Sequence, residues 1–152
     1  MYLSEYYKFA MNNIADDFNS DIEKTINHYG IVVYGINDIS IASAFRQAYG
    51  HVLRYMARDE FWFCKGHTNG DITADACMLR LVIELRKKLE YMLSDGDMLL
   101  RLPERECRRM LEDLKEYERY DGRERALKSA RALMACDYKE YDKLRNGDYP
   151  WE

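Results

Sequence analysis

Proline is scarce here: Pro103 and Pro150 are the only two in 152 residues. No stretch reads as a low-complexity linker, and no segment repeats another. Long apolar runs are missing as well. None approaches the roughly 20 residues that a membrane span needs, so no membrane partner is expected. The opening MYLSEYYKFAMNN has neither the basic start nor the continuous apolar run of a secretory signal. Cysteine is sparse and spread out, at Cys64, Cys77, Cys107 and Cys136, with no CxxC pair. Together these features point to reduced thiols in a cytoplasmic protein. An excess of positive charge is also lacking. The formal charge is −4, so bulk attraction to nucleic acid is not the default.

Chemical motifs are thin. No GxxxxGK[ST] segment is present, so there is no sequence case for a P-loop nucleotide site. Cys64 and His67 have the spacing of two metal ligands, but a structural zinc site needs four, usually as two such pairs. A buried thiol beside a surface histidine is the simpler reading. Asp95-Gly96-Asp97 is too short for a calcium loop. No pair of carboxylates sits in an apolar setting that would split their pKa values. Nothing assembles a nucleophile, a base and an orienting group, so neither a catalytic residue nor a cofactor nor a metal is expected.

What the chain does have is a third of its residues charged, ample hydrophobics and thirteen tyrosines. That composition suits one folded domain with a real core. Residues 3–17 read as an amphipathic helix, and Ser20 with Glu23 as a capping box for a second helix ending at Gly30. Residues 31–34 are a short apolar run, either a strand or a buried connector. Asp38 is placed to cap a helix carrying Ile41, Ala44, Phe45 and Ala48, with Gly50 as a left-handed stop. Residues 52–56 and 61–64 predict a β-hairpin around a polar turn at 57–60. Residues 74–94, capped by Thr73, form the clearest helix, with Met78, Val82, Leu85, Leu89 and Met92 in one stripe. A helix starting at Pro103 carries Cys107, Leu114 and Tyr117 inward and runs to Tyr120, where Asp121-Gly122 breaks it. Another helix spans about 123–136, and the tail from Asp137 reads as polar turns. The expected fold is mainly α with a small β-hairpin, an α+β compact helical domain. Residues 1–36 would be a helical extension packed on the core, 37–145 the domain proper and 146–152 a tail.

One stretch carries a family resemblance. Asp38, Ala42, Phe45, Tyr49-Gly50, Leu53-Arg54-Tyr55, Trp62 and Gly66 resemble the start of a domain in phage-, plasmid- and poxvirus-type primase–helicases, where it lies before a superfamily 3 ATPase. The segment RERALKSARAL, residues 123–133, is similar to the charged helix near that domain's end. The resemblance implies a part in DNA replication of a mobile element, played by surfaces rather than by catalysis.

Two surfaces are candidates. Arg105, Arg108 and Arg109 on one helix, and Arg125, Lys128 and Arg131 on the next, could meet DNA phosphates. Nearby glutamates and aspartates make a salt-bridge-laced solvated surface the plainer reading. Tyr117, Tyr120 and Tyr138 could stack on single-stranded bases or rim the core. Tyr2, Tyr6 and Tyr7, with Asp16, Asp17, Asp21 and Glu23, could form an acidic, aromatic protein interface. The partners implied are a replication or host protein, and DNA. The alternative function is a small acidic phage or mobile-element protein that binds and inhibits a host protein, as an anti-CRISPR does.

Overall fold

The computed structural model describes residues 35–64, 69–95 and 104–145. The fold is mostly helical with a small three-stranded sheet. In chain order the elements are α1 (Asp38–Tyr49), β1 (Leu53–Met56), β2 (Phe61–Cys64), α2 (Gly70–Asp95), α3 (Glu104–Leu114), a 3₁₀ turn (Lys115–Glu118), α4 (Tyr120–Leu133), β3 (Ala135–Cys136) and α5 (Tyr138–Arg145).

The start of α1 corrects the sequence reading by one residue. Asn37, not Asp38, is the cap. Its side chain accepts the N–H groups of Ile39 and Ser40, and the Ser40 hydroxyl accepts the N–H of Asn37 in return. Asp38 is thereby released for other partners. The stop at Gly50 is also not left-handed, since its φ is −61°. On the inner face, Ile41, Ala42, Ala44, Phe45, Ala48 and Tyr49 are all buried.

β1 and β2 form the expected antiparallel hairpin, pairing Leu53 with Cys64 and Tyr55 with Trp62. Alternation sends Trp62 and Cys64 to the main core and leaves Phe61 and Phe63 half-buried on the other face. The third strand was not expected. β3 lies parallel to β1, so the order is β2-β1-β3, and the crossover passes through α2, α3 and α4. The helix read as reaching residue 136 therefore ends at Leu133.

α2 is longer than expected. It begins at Gly70, where the Asn69 side chain accepts from Ile72, and the Thr73 hydroxyl turns back to the Asn69 carbonyl instead of capping. Gly70 has a packing reason. A Cβ there would lie 1.7 Å from the Trp62 carbonyl oxygen, so only glycine lets the helix start this close to β2. The Asp71 carboxylate then accepts the Trp62 N–H at 2.9 Å. Met78, Val82, Leu85 and Leu89 are buried as the periodicity requires.

The helix expected to run to Tyr120 stops at Leu114, passes through the 3₁₀ turn and breaks at Arg119, whose backbone is extended. Asp121-Gly122 is not the break. It lies in the first turn of α4, and a Cβ on Gly122 would meet the Glu116 carbonyl oxygen at 2.0 Å. α4 then packs along α1 and α2. The tail read as polar turns forms α5 instead. Its Tyr141 stands edge-on to Phe61 and Phe63, at 5.5 and 5.8 Å, and closes the second face of the sheet. The features read at residues 3–34, at Gly66 to Thr68, at Gly96, Asp97 and Pro103, and after residue 145 lie outside the described residues.

Candidate functional site

The thiols are set in apolar surroundings. Cys64, Cys77, Cys107 and Cys136 are all reduced and buried. Burial pushes the Cys77 thiol well up, with Cys64 adding to the effect, and raises Cys107, with Glu106 adding. Burial, helped by Glu140, pushes Cys136 up to about 11. A thiol held protonated is a poor nucleophile and a poor metal ligand. Among the described residues no three His, Cys, Asp or Glu side chains converge on a common point. His67, at metal-ligand spacing from Cys64, lies outside them.

The candidate cations fall into two groups. On α3, Arg108 pairs with Glu104 at 2.8 Å and Arg109 with Glu106 at 2.7 Å, while Arg105 is exposed. On α4, Arg125 reaches Glu116 at 3.2 Å and Asp38 at 3.5 Å. Lys128 and Arg131 are exposed, and the Arg131 guanidinium lies 5.0 Å from the centre of the Tyr55 ring. α3 packs chiefly on α2 and the 3₁₀ turn, and α4 packs on α1, the 3₁₀ turn and α2.

Charged residues outside the two candidate surfaces carry much of the structure. Arg123 is 3% exposed, and its guanidinium holds both carboxylate oxygens of Asp75, at 2.8 and 3.3 Å, and the Glu118 carbonyl at 2.6 Å. Arg86 pairs with Glu118 and Glu90. The Tyr117 hydroxyl donates to Asp38 at 2.7 Å, and burial with that carboxylate raises its pKa. Tyr117 is thus a core residue and not a stacking platform. Tyr120 is 64% exposed. The side chain of Tyr138 and the whole segment holding Tyr2, Tyr6, Tyr7, Asp16, Asp17, Asp21 and Glu23 lie outside the described residues.

Among the described residues, clefts of ligand size include these two. One, of about 610 Å³, lies between β2, α2 and α4. Trp62 and Leu127 line it, Ile72 and Tyr120 stand exposed beside it, and Glu60, Glu124 and Arg131 mark its rim. The other, of about 660 Å³, lies between the outer face of α1, β1, β3 and α5, and is lined by Ser43, Arg46, Gln47, His51, Arg54 and Glu140. Sequence reasoning missed this second group. Its signal was the polar spacing of Ser43, Arg46, Gln47 and Gly50, which is the complement of the apolar stripe of α1. No family model, no curated protein and no solved structure matches this chain.

Proposed function

We propose that this chain is a non-catalytic domain that acts in DNA replication by binding another protein, in the manner of the pre-helicase domain it resembles. The observation that carries this reading is the cleft between β2, α2 and α4. Ile72 and Tyr120, 45% and 64% exposed, stand over Trp62 and Leu127. Exposed apolar side chains around a concave floor suit a large anchoring side chain from a protein partner. The raised thiol pKa values support a role without thiol chemistry. Among the described residues no helix is long and apolar enough to cross a membrane. The partner this reading names is the replication ATPase of the same mobile element. Sedimentation velocity on a mixture of the two purified proteins is the test. Co-sedimentation that is lost in the double variant Ile72→Asp, Tyr120→Asp is expected, and separate sedimentation of the native proteins overturns the reading.

A second reading, inhibition of a host protein, draws on a different observation. Glu60 and Glu124 on the cleft rim pair with no cation among the described residues, and the whole chain is at −4. An acidic rim around an aromatic floor suits a protein that normally grips nucleic acid. Adding the chain to a host CRISPR nuclease tests it, and undiminished DNA cleavage would remove this alternative.

A further inference from the structure

The cleft on the outer side of α1 differs in charge from the rest of this acidic molecule. Arg46 is exposed and meets no carboxylate among the described residues. Arg54, half-buried on β1, donates through Nη1 to the Gly50 and Leu53 carbonyls, which fixes its guanidinium at the cleft wall. Its Nε faces Glu140 at 3.4 Å. That is long for a charge-assisted hydrogen bond, which closes to about 2.7–2.9 Å. Ser43 and Gln47, one helical turn apart on α1, add a hydroxyl and an amide as neutral donors. The negative end of α1 points toward this region, and two of its last four carbonyls are occupied. Arg46 accepts from the Gly50 N–H, Tyr49 from the Val52 N–H, and Gly50 from Arg54. The other cleft has more acid than base on its rim, and Arg108 and Arg109 on α3 are paired with glutamates of their own helix. The geometry at α1 has two guanidinium groups, two neutral donors and a volume within the range of small-ligand sites.

We propose that this cleft binds a phosphate group, with Arg46 and Arg54 as its two cationic contacts and Ser43 and Gln47 as neutral donors. The phosphate displaces Glu140 from Arg54. Glu140 therefore acts as a competitor that weakens the site. The phosphate belongs either to a nucleic-acid backbone or to a free nucleotide. This inference goes beyond the protein-binding reading and shares no residue with the cleft that carries it.

The experiment titrates the full chain with two probes, fluorescein-labelled oligothymidylate followed by anisotropy and ATP followed by calorimetry. Saturable binding of at least one is expected. Arg46→Glu weakens it tenfold or more, and Arg46→Gln weakens it less. Glu140→Gln tightens it several-fold, whereas Asp113→Asn on exposed α3, with the same change in charge, leaves it nearly unchanged. For the oligonucleotide, each phosphate contact contributes about 0.7 to the slope of log affinity against log salt, so Arg46→Gln lowers that slope by about 0.7. Oligonucleotide binding that ATP does not compete identifies a backbone phosphate. ATP binding alone identifies a free nucleotide. Absence of binding by both probes overturns the proposal, as does unchanged affinity in Arg46→Glu. Equal effects of Glu140→Gln and Asp113→Asn also overturn it, because they reduce the site to general electrostatics. None of these outcomes bears on co-sedimentation with a protein partner.

Discussion

Arg123 shows how one side chain can join three elements. Its guanidinium comes from α4, its carboxylate partner Asp75 from α2, and its third acceptor is the Glu118 carbonyl of the 3₁₀ turn. A buried pair of this kind adds little net stability over a hydrophobic substitute, but removing one partner strands the other. Arg123→Ala is expected to cost about 3–5 kcal/mol in urea unfolding, because the Asp75 carboxylate then loses the guanidinium that holds both its oxygens. Arg123→Lys is expected to recover only part of this loss, since an ammonium cannot grip two carboxylate oxygens and a carbonyl in one plane. This role is not legible in the sequence, where Arg123 is one cation in a run of mixed charge and only the packing of α4 on α2 selects it. Cys136 makes a second case, this time in pH. Its folded pKa, about 11, is above the ordinary thiol value, so the folded state retains a proton that the unfolded chain releases. Its contribution is complete below the unfolded pKa and fades as pH rises toward the folded one. Unfolding free energy is expected to fall between the ordinary thiol pKa, about 8.5, and the folded value, about 11. Whatever Cys136→Ala costs near neutrality, its decline over that interval should be shallower than that of the native chain. Parallel declines would show that the thiol is not responsible.

At the scale of elements, what could be read from sequence depended on how local the cause was. The stripe of α2 was legible because Met78, Val82, Leu85 and Leu89 repeat the helical period within one continuous segment. The hairpin was legible because aromatic residues flank a polar turn. The break after Leu114 was not, because Lys115 to Arg119 holds neither glycine nor proline. Its cause is remote: Tyr117 turns inward to Asp38, and Gly122 lets α4 sit against Glu116. β3 was illegible for the same reason, since two residues at the end of an apparent helix pair with β1 only after three helices are in place. Gly122→Ala tests the close approach directly. Its methyl group would meet backbone, which cannot swing aside as a side chain can, so a cost of about 1–3 kcal/mol is expected. A change within about 0.5 kcal/mol would mean that the turn yields easily. α5 offers a different test. Tyr141→Ala removes both edge-on ring contacts to Phe61 and Phe63, and hydrogen exchange in Tyr138–Arg145 is expected to speed up far more than exchange in α2. Equal acceleration in both helices would show that α5 belongs to the global unfolding unit.

For the whole molecule the question is where a net charge of −4 leaves room for cations to act. Reading the chain as a string makes α3 the natural choice, because Arg105, Arg108 and Arg109 crowd together there. Folding alters that choice in two ways. Glu104 and Glu106 stand on the same helix within reach of Arg108 and Arg109, so most of the local field cancels. Arg46 and Arg54, which are eight positions apart in the sequence and look unremarkable there, line one cleft. Surface pairs such as Arg108 with Glu104 are worth no more than about 1 kcal/mol, so they do little to hold the fold. The triple reversal Arg105→Glu, Arg108→Glu, Arg109→Glu should therefore leave the chain folded. It changes the formal charge by six and so weakens oligonucleotide binding through long-range repulsion. That effect should fade above about 0.15 M salt, where the screening length is about 8 Å. A contact made by the cleft persists there, because a phosphate seated between Arg46 and Arg54 is only partly screened. The expected result is convergence of the triple variant with the native chain as salt rises, while Arg46→Glu stays weaker throughout. If the triple variant instead remains the weaker of the two at high salt, α3 is the DNA face and the arginines of the cleft serve the fold.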